Sequence, residues 1–373
     1  MPGAWFPLSG ALGRPWGVTC SAISLKLFPF SDQVSDMTQT FGPVMLDLDG
    51  HELSAEERSL LEHPATGGVI LFGRNTRDAR QVRELCRSIR EVRPDLLLGI
   101  DQEGGRVQRL KDGVTRLPPM SRLGQEYLDS PETTVRLCQD AGWLLGMEMA
   151  ACGLDLSFAP VLDVDVGLSS VIGDRSFAGD PEIVTLLAGA FVEGLHDAGM
   201  AAVGKHFPGH GGVKADTHHE VARDERSLDE LRQHDLVPFQ SLAPKLDGMM
   251  PAHVVYPAFD PRPAGFSRPW LGMLRESLGF KGLIFSDDLT MAGAQVAGGP
   301  VERAQAALDA GCDMVLVCND RAAAKAVLDA CAERTVRRAS RLRYGRARPD
   351  LDALPALSRW RRVHARLEAM TSD

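Results

Sequence analysis

The chain has 373 residues, 44% apolar and 24% charged, enough for one large α/β barrel or two medium domains of ordinary globular-enzyme composition. A formal net charge of −9 excludes a general nucleic-acid binder, which needs a basic surface. No apolar run approaches the length of a membrane helix, so no membrane partner is expected.

The first 36 residues are rich in Gly, Pro and Trp but lack both a basic start and an A-x-A cleavage site. They read as a disordered leader, or as sequence upstream of the natural start, with Met37 opening a single domain over 37–373. The seven cysteines (Cys20, Cys86, Cys138, Cys152, Cys312, Cys318, Cys331) are odd in number and scattered, with no CxxC. Free cysteine in an apolar segment behaves as a small hydrophobe, and the pattern predicts a reducing, cytoplasmic compartment.

From Gly42 onward short apolar runs recur at 43–48, 68–72, 96–100, 154–160, 201–205, 248–253, 282–286 and 314–318. Most are near-continuously hydrophobic, as strands covered on both faces must be. Between them lie helical patterns with recognisable starts. Ser54-Ala55-Glu56-Glu57 and Ser227-Leu228-Asp229-Glu230 read as capping boxes. Asp180-Pro181 reads as an N-cap and first-turn proline ahead of an apolar stripe over 183–198. Further helices are predicted over 79–92, 133–151, 269–278, 301–310 and 322–332. The arginines Arg334, Arg337, Arg338, Arg341, Arg343, Arg346 and Arg348 read as the polar face of a C-terminal helix and its exit. Strands alternating with helices in this way predict a single (β/α)8 TIM barrel over a doubly wound sheet, since no G-x-G-x-x-G follows an early strand.

A barrel places its chemistry on the loops after its strands. The third strand is followed by Asp101-Gln102-Glu103-Gly104-Gly105-Arg106-Val107-Gln108-Arg109, where a rim carboxylate could accept bonds from vicinal hydroxyls and arginines could reach a polar ligand. The fourth is followed by Gly173-Asp174-Arg175-Ser176-Phe177, in which Arg175 could face the pocket or pair with Asp174. The fifth delivers Lys205-His206-Phe207-Pro208-Gly209-His210-Gly211-Gly212 and then Asp216-Thr217-His218-His219. Four histidines in fourteen residues exceed what core packing needs, and the glycines and proline allow a movable loop. His253 ends the sixth strand. The seventh ends in Ser286-Asp287-Asp288, where one carboxylate could face the axis while the other caps or binds backbone. Cys318-Asn319-Asp320, after the eighth, reads as a helix cap.

Several chemistries fit these residues. A metal-dependent hydrolase could use His206, His210, His218, Asp216 and Asp287 as ligands, although a glycine-rich loop suits a rigid ligand set poorly and no H-x-H follows the first strand. Covalent catalysis would use an aspartate nucleophile with a histidine acid/base. A Schiff base on Lys205 leaves the Asp-x-His pair unexplained.

The motifs at 205–211, 216–218 and 285–289 resemble the signature of family 3 glycoside hydrolases, most closely that of the bacterial β-N-acetylhexosaminidases of peptidoglycan recycling. Asp101-Gln102-Glu103-Gly104-Gly105-Arg106, Gly173-Asp174-Arg175-Ser176-Phe177 and Pro251-Ala252-His253 match the same pattern, in order, and the resemblance runs from about Phe41 to about Arg366. It implies that Asp287 is the nucleophile of a retaining reaction, His218 the acid/base and Asp216 its partner. Asp101, Arg109, Arg175, Lys205 and His206 correspond to sugar-binding positions, and Lys205 and Arg175 are expected to keep Asp287 ionised. His219 matches no functional position, and His210 belongs to the motif without a clear role. The implied substrate is a small carbohydrate, a muropeptide with a non-reducing terminal N-acetylglucosamine. No metal, organic cofactor, nucleic acid or membrane is implied, and a cytoplasmic monomer is expected.

Overall fold

The computed structural model describes residues 41–214, 222–336 and 342–371. The leader expected over 1–36, and the predicted Asp216 and His218, lie outside the described residues. Eight parallel strands close into one barrel: β1 (Val44–Leu46), β2 (Thr66–Leu71), β3 (Leu97–Ile100), β4 (Leu156–Ser157), β5 (Ala201–Phe207), β6 (Gly248–Pro251), β7 (Leu283–Asp288) and β8 (Met314–Val317). The ring shuts where Val44, Met45 and Leu46 pair with Val315, Leu316 and Val317. Each strand overlaps a predicted apolar run, and those at 66–71, 201–207 and 283–288 extend beyond it by two residues at one end.

Alternation along these strands divides the core in two. Met45, Ile70, Leu97, Leu156, Val203, Phe285, Met314 and Leu316 cluster together and fill the lumen, with Phe158 edge-on to Phe285 at 5.1 Å. Their neighbours Val44, Leu46, Val69, Leu71, Leu98, Ile100, Ala202, Ile284, Val315 and Val317 belong to the larger cluster under the helices. Both faces of the strands are therefore apolar, which is why the runs look continuous.

The surrounding helices are α1 (Ala55–Glu62), α2 (Ala79–Val92), α3 (Met120–Asp129), α4 (Pro131–Ala151), α5 (Pro181–Ala198), α6 (Leu228–Gln233), α7 (Leu236–Leu242), α8 (Arg268–Gly272), α9 (Pro300–Ala310), α10 (Arg321–Ala330) and α11 (Ser358–Thr371). Both predicted capping boxes form: Ser54 Oγ accepts from the Glu57 amide at 3.2 Å, and Ser227 Oγ from that of Glu230 at 3.3 Å. Asp180 caps α5, which ends at Gly199 with φ +85°, a conformation suited to glycine. Glycines also set the contact of α4 with α5, because a Cβ on Gly194 would lie 1.9 Å from the Gln139 carbonyl oxygen.

Helix α3 went unpredicted, and the helix expected over 269–278 changes from α8 into a π-helical turn, Met273–Ser277. The arginine-rich run needs a larger correction. None of its described arginines is helical: Val336 bridges Phe41, and Arg343, Arg346 and Arg348 lie in irregular chain. Arg343 donates to the Pro94 carbonyl at 2.7 Å, Arg346 to that of Asp197 at 2.8 Å, and Arg348 to that of Leu154 and to the Asp155 carboxylate. These cations lie just past the ends of α2, α5 and α4, where free carbonyls and the helix dipole favour positive charge.

Candidate active site

The loops after the strands enclose a pocket of about 420 Å³ lined by both charged and apolar side chains. Asp101, Arg109, Arg175, Lys205, His206 and Asp287 all line it. The predicted residues that fall within the described chain are therefore brought together, from the ends of four strands, β3, β4, β5 and β7.

One wall is a row of alternating charges. Lys205 Nζ lies 2.8 Å from Asp101 Oδ1 and 2.6 Å from Glu103 Oε1. Arg175 grips Glu103 with two parallel bonds of 2.8 Å, from Nε and Nη2. Arg109 reaches Asp101 more loosely, at 3.4 Å, with its guanidinium over the Phe72 ring. Burial pushes both carboxyl groups up, but the adjacent cations outweigh it: Arg175 and Lys205 hold Glu103 well below the usual carboxylate range, and Lys205 and Arg109 hold Asp101 below it. Burial would lower the pKa of Lys205, yet Asp101 and Glu103 raise it, so the ammonium stays charged. Arg175 thus faces the pocket, and its sequence neighbour Asp174 pairs with Arg106 at 2.9 Å. The cations expected to attend Asp287 are engaged by Asp101 and Glu103, and among the described ion pairs none joins Lys205 or Arg175 to Asp287.

Lys205 and His206 are joined by a cis peptide, and both line the pocket. Behind them Asp163, fully buried, accepts from His206 Nδ1 at 2.7 Å and from the amides of His206 and His210 at 3.2 and 2.8 Å. It orients the imidazole and pins the start of the loop. Burial pushes the pKa of His210 down, only partly offset by Asp163.

At the end of β7 both paired aspartates line the pocket, and they differ in what already engages them. Asp288 turns to the loop, accepting from Thr290 N, Thr290 Oγ1 and the Cys318 amide at 3.0, 2.8 and 3.2 Å, and burial pushes it up to about 6. Asp287 is half-buried and receives the Asp288 amide at 2.8 Å. His253 lies beneath, fully buried, stacked on Phe266 and held to the Asp288 carbonyl at 3.1 Å; burial favours its neutral form. Asp320 caps α10 through the Ala323 amide at 2.9 Å, as expected.

Sequence reasoning did not single out two residues of this site, Glu103 and Asp163. Glu103 could have been found, because it stands two positions after Asp101 in an extended segment (Gln102–Gly104), where i and i+2 share a face. Asp163 carried no local signal beyond its position after an apolar run. Among the described residues no group of His, Cys, Asp and Glu has a metal-binding arrangement.

The sequence matches the family model of the glycosyl hydrolase family 3 N terminal domain over residues 31–341. It is 56% identical over 308 residues to a Pseudomonas aeruginosa protein named beta-hexosaminidase, spanning 82% of this chain and 91% of that one. A beta-hexosaminidase of Tolumonas auensis is 52% identical over 336 residues, spanning 89% and 99%. Among solved structures, NagZ from Neisseria gonorrhoeae in complex with N-trifluoroacetyl-D-glucosamine is similar with a TM-score of 0.84 at 42% identity, over 89% of this chain and 98% of that chain. A closed barrel with this charged mouth, and similarity of that extent, lead to one conclusion: the chain belongs to glycosyl hydrolase family 3 and is a glycosidase.

Proposed function

We propose that the protein is a retaining exo-β-N-acetylglucosaminidase that removes the non-reducing terminal β-linked N-acetylglucosamine from peptidoglycan fragments, muropeptides ending in 1,6-anhydro-N-acetylmuramic acid. The carrying observation is that Asp287 shares one pocket of about 420 Å³ with the Asp101–Lys205–Glu103–Arg175 row. A carboxylate beside dense, preorganised hydrogen-bonding groups suits a polyhydroxylated ring. The relatives named beta-hexosaminidase, and the N-trifluoroacetyl-D-glucosamine of the solved NagZ complex, support an N-acetylhexosamine as that ring.

In the first step Asp287 forms a bond to the anomeric carbon while the bond to the leaving oxygen breaks, and His218 passes its proton to that oxygen. In the second, water attacks the same carbon, gives its proton to His218, and the ester to Asp287 breaks. Asp216 orients the His218 ring and favours its imidazolium form, as the carboxylate of a catalytic triad does. A histidine titrates near neutrality and so serves in both directions. Asp101, Arg109, Lys205, Arg175 and His206 hold the sugar. The scattered cysteines, six of them buried and unpaired among the described residues, support a cytoplasmic setting, and we expect a monomer whose catalytic domain spans 37–373.

The test is turnover of an aryl N-acetyl-β-glucosaminide with and without a chelator, followed by trapping with a 2-fluoro sugar and peptide mapping. Full activity in chelator and a label on Asp287 are expected. Loss of activity with the metal would instead favour a metal-dependent hydrolase, and a label on Asp288 would refute the nucleophile.

A further inference from the structure

We infer that Glu103 is a positioning residue for sugar binding: it touches no substrate itself, and its carboxylate is the strut that holds Lys205 and Arg175 in the geometry with which they grip the ring. This inference rests on the glycosidase reading above. It comes from a difference between the two carboxylates of the charged row. The Asp101 side chain is 18% exposed in the pocket, bonded closely to Lys205 and loosely to Arg109, so it retains accepting capacity toward a ligand. The Glu103 side chain is 2% exposed, and both of its oxygens are engaged by protein cations. Oε2 takes Arg175 Nε, while Oε1 takes Arg175 Nη2 and Lys205 Nζ.

The cations depend on it in turn. The bidentate grip fixes the plane of the Arg175 guanidinium, whose Nη1 reaches the Val171 carbonyl at 3.1 Å. Lys205 is a flexible four-carbon stem ending in three donors, and the 2.6 and 2.8 Å bonds to Glu103 and Asp101 determine where the third donor points. A neutral sugar is bound by aimed hydrogen bonds rather than by net charge, so misdirecting these donors costs affinity even with both cations present.

Glutamine is not a conservative replacement here. Each carboxylate oxygen faces a cationic donor, so either orientation of the amide turns an NH2 group toward Arg175 or Lys205. Aspartate keeps the charge, but its shorter reach cannot span both cations.

The experiment compares wild type, Glu103→Gln and Glu103→Asp. KM and kcat are measured on an aryl N-acetyl-β-glucosaminide, with kcat expressed per site labelled by a 2-fluoro sugar, and Kd for free N-acetylglucosamine is measured by calorimetry. We expect KM and Kd to rise about tenfold or more in Glu103→Gln and severalfold in Glu103→Asp, with kcat per labelled site changed by less than about threefold. A merely structural residue would lower the labelled fraction and leave KM and Kd at wild-type values. That outcome in either folded variant overturns the proposal, as does a fall in kcat with KM unchanged. Should Glu103→Gln not fold, Glu103→Asp, which preserves the buried charge balance, carries the same reading. Wild type that binds the sugar without turning over the glycoside would fail on the proposed reaction alone, and the role of Glu103 would still be read from Kd. Wild type that does neither would overturn both.

Discussion

Individual side chains at the barrel mouth take their roles from what already engages them. Both aspartates line the pocket, but Asp288 is bonded to Thr290 and the Cys318 amide, whereas Asp287 receives only its neighbour's amide among the described hydrogen bonds. Asp287→Ala is therefore expected to reduce turnover by on the order of 10⁴-fold in steady-state assays. The effect of His218→Ala should depend on the leaving group, because an acid matters less when the departing oxygen is already a weak base. Severe loss on an alkyl or disaccharide substrate with much milder loss on an activated aryl glycoside is the expected result; equal rates on both in the variant and wild type would remove His218 from the mechanism.

At the scale of elements, the loop after β5 is secured at both ends. Asp163 holds the His210 amide, and the Tyr256 hydroxyl donates to the Gly209 carbonyl. On the far side Arg226 joins the buried Asp224 and Asp235 at 2.6 and 2.7 Å, and a Cβ on Gly212 would lie 2.1 Å from its Nη2. The two ends of the loop thus meet through one guanidinium. Arg226→Met should lower unfolding free energy by about 3 kcal/mol, since two carboxylates remain buried without their cation. Urea denaturation measures this directly, and a change below about 1 kcal/mol would show that the carboxylates find other partners.

Across the whole molecule, α11 closes the chain against α4 over a buried carboxyl group. Glu148 accepts from Thr115 Oγ1 at 2.6 Å and Trp360 Nε1 at 2.9 Å, and burial pushes it up to about 7 despite those bonds. Between the unfolded value near 4.5 and about 7, the unfolded chain has released this proton while the folded protein keeps it. Stability therefore falls as pH rises through that window, and above it the folded protein carries a buried charge. Glu148→Gln should abolish this component, on the order of 2–3 kcal/mol between pH 5 and pH 8. Parallel pH profiles for the variant and wild type would contradict the assignment.

Strand positions, the Ser54, Ser227, Asp180 and Asp320 caps, and the motifs that bear Asp101, Lys205 and Asp287 were all legible in the amino-acid order. Each follows from residues within a turn or a strand length of one another, where periodicity and capping act. The closed ring could also be anticipated, because near-continuous apolar runs alternating with helices have few other ways to bury both faces. Which charge meets which was not. Arg175 passes over the adjacent Asp174 for Glu103, His206 finds Asp163, and Arg343, Arg346 and Arg348 bind carbonyls near three helix ends instead of lying on a helix. Those partners lie tens of residues or more away and meet only when the barrel closes. Several carboxylates were available to each cation, and only the tertiary structure, by fixing distance and burial, selected among them.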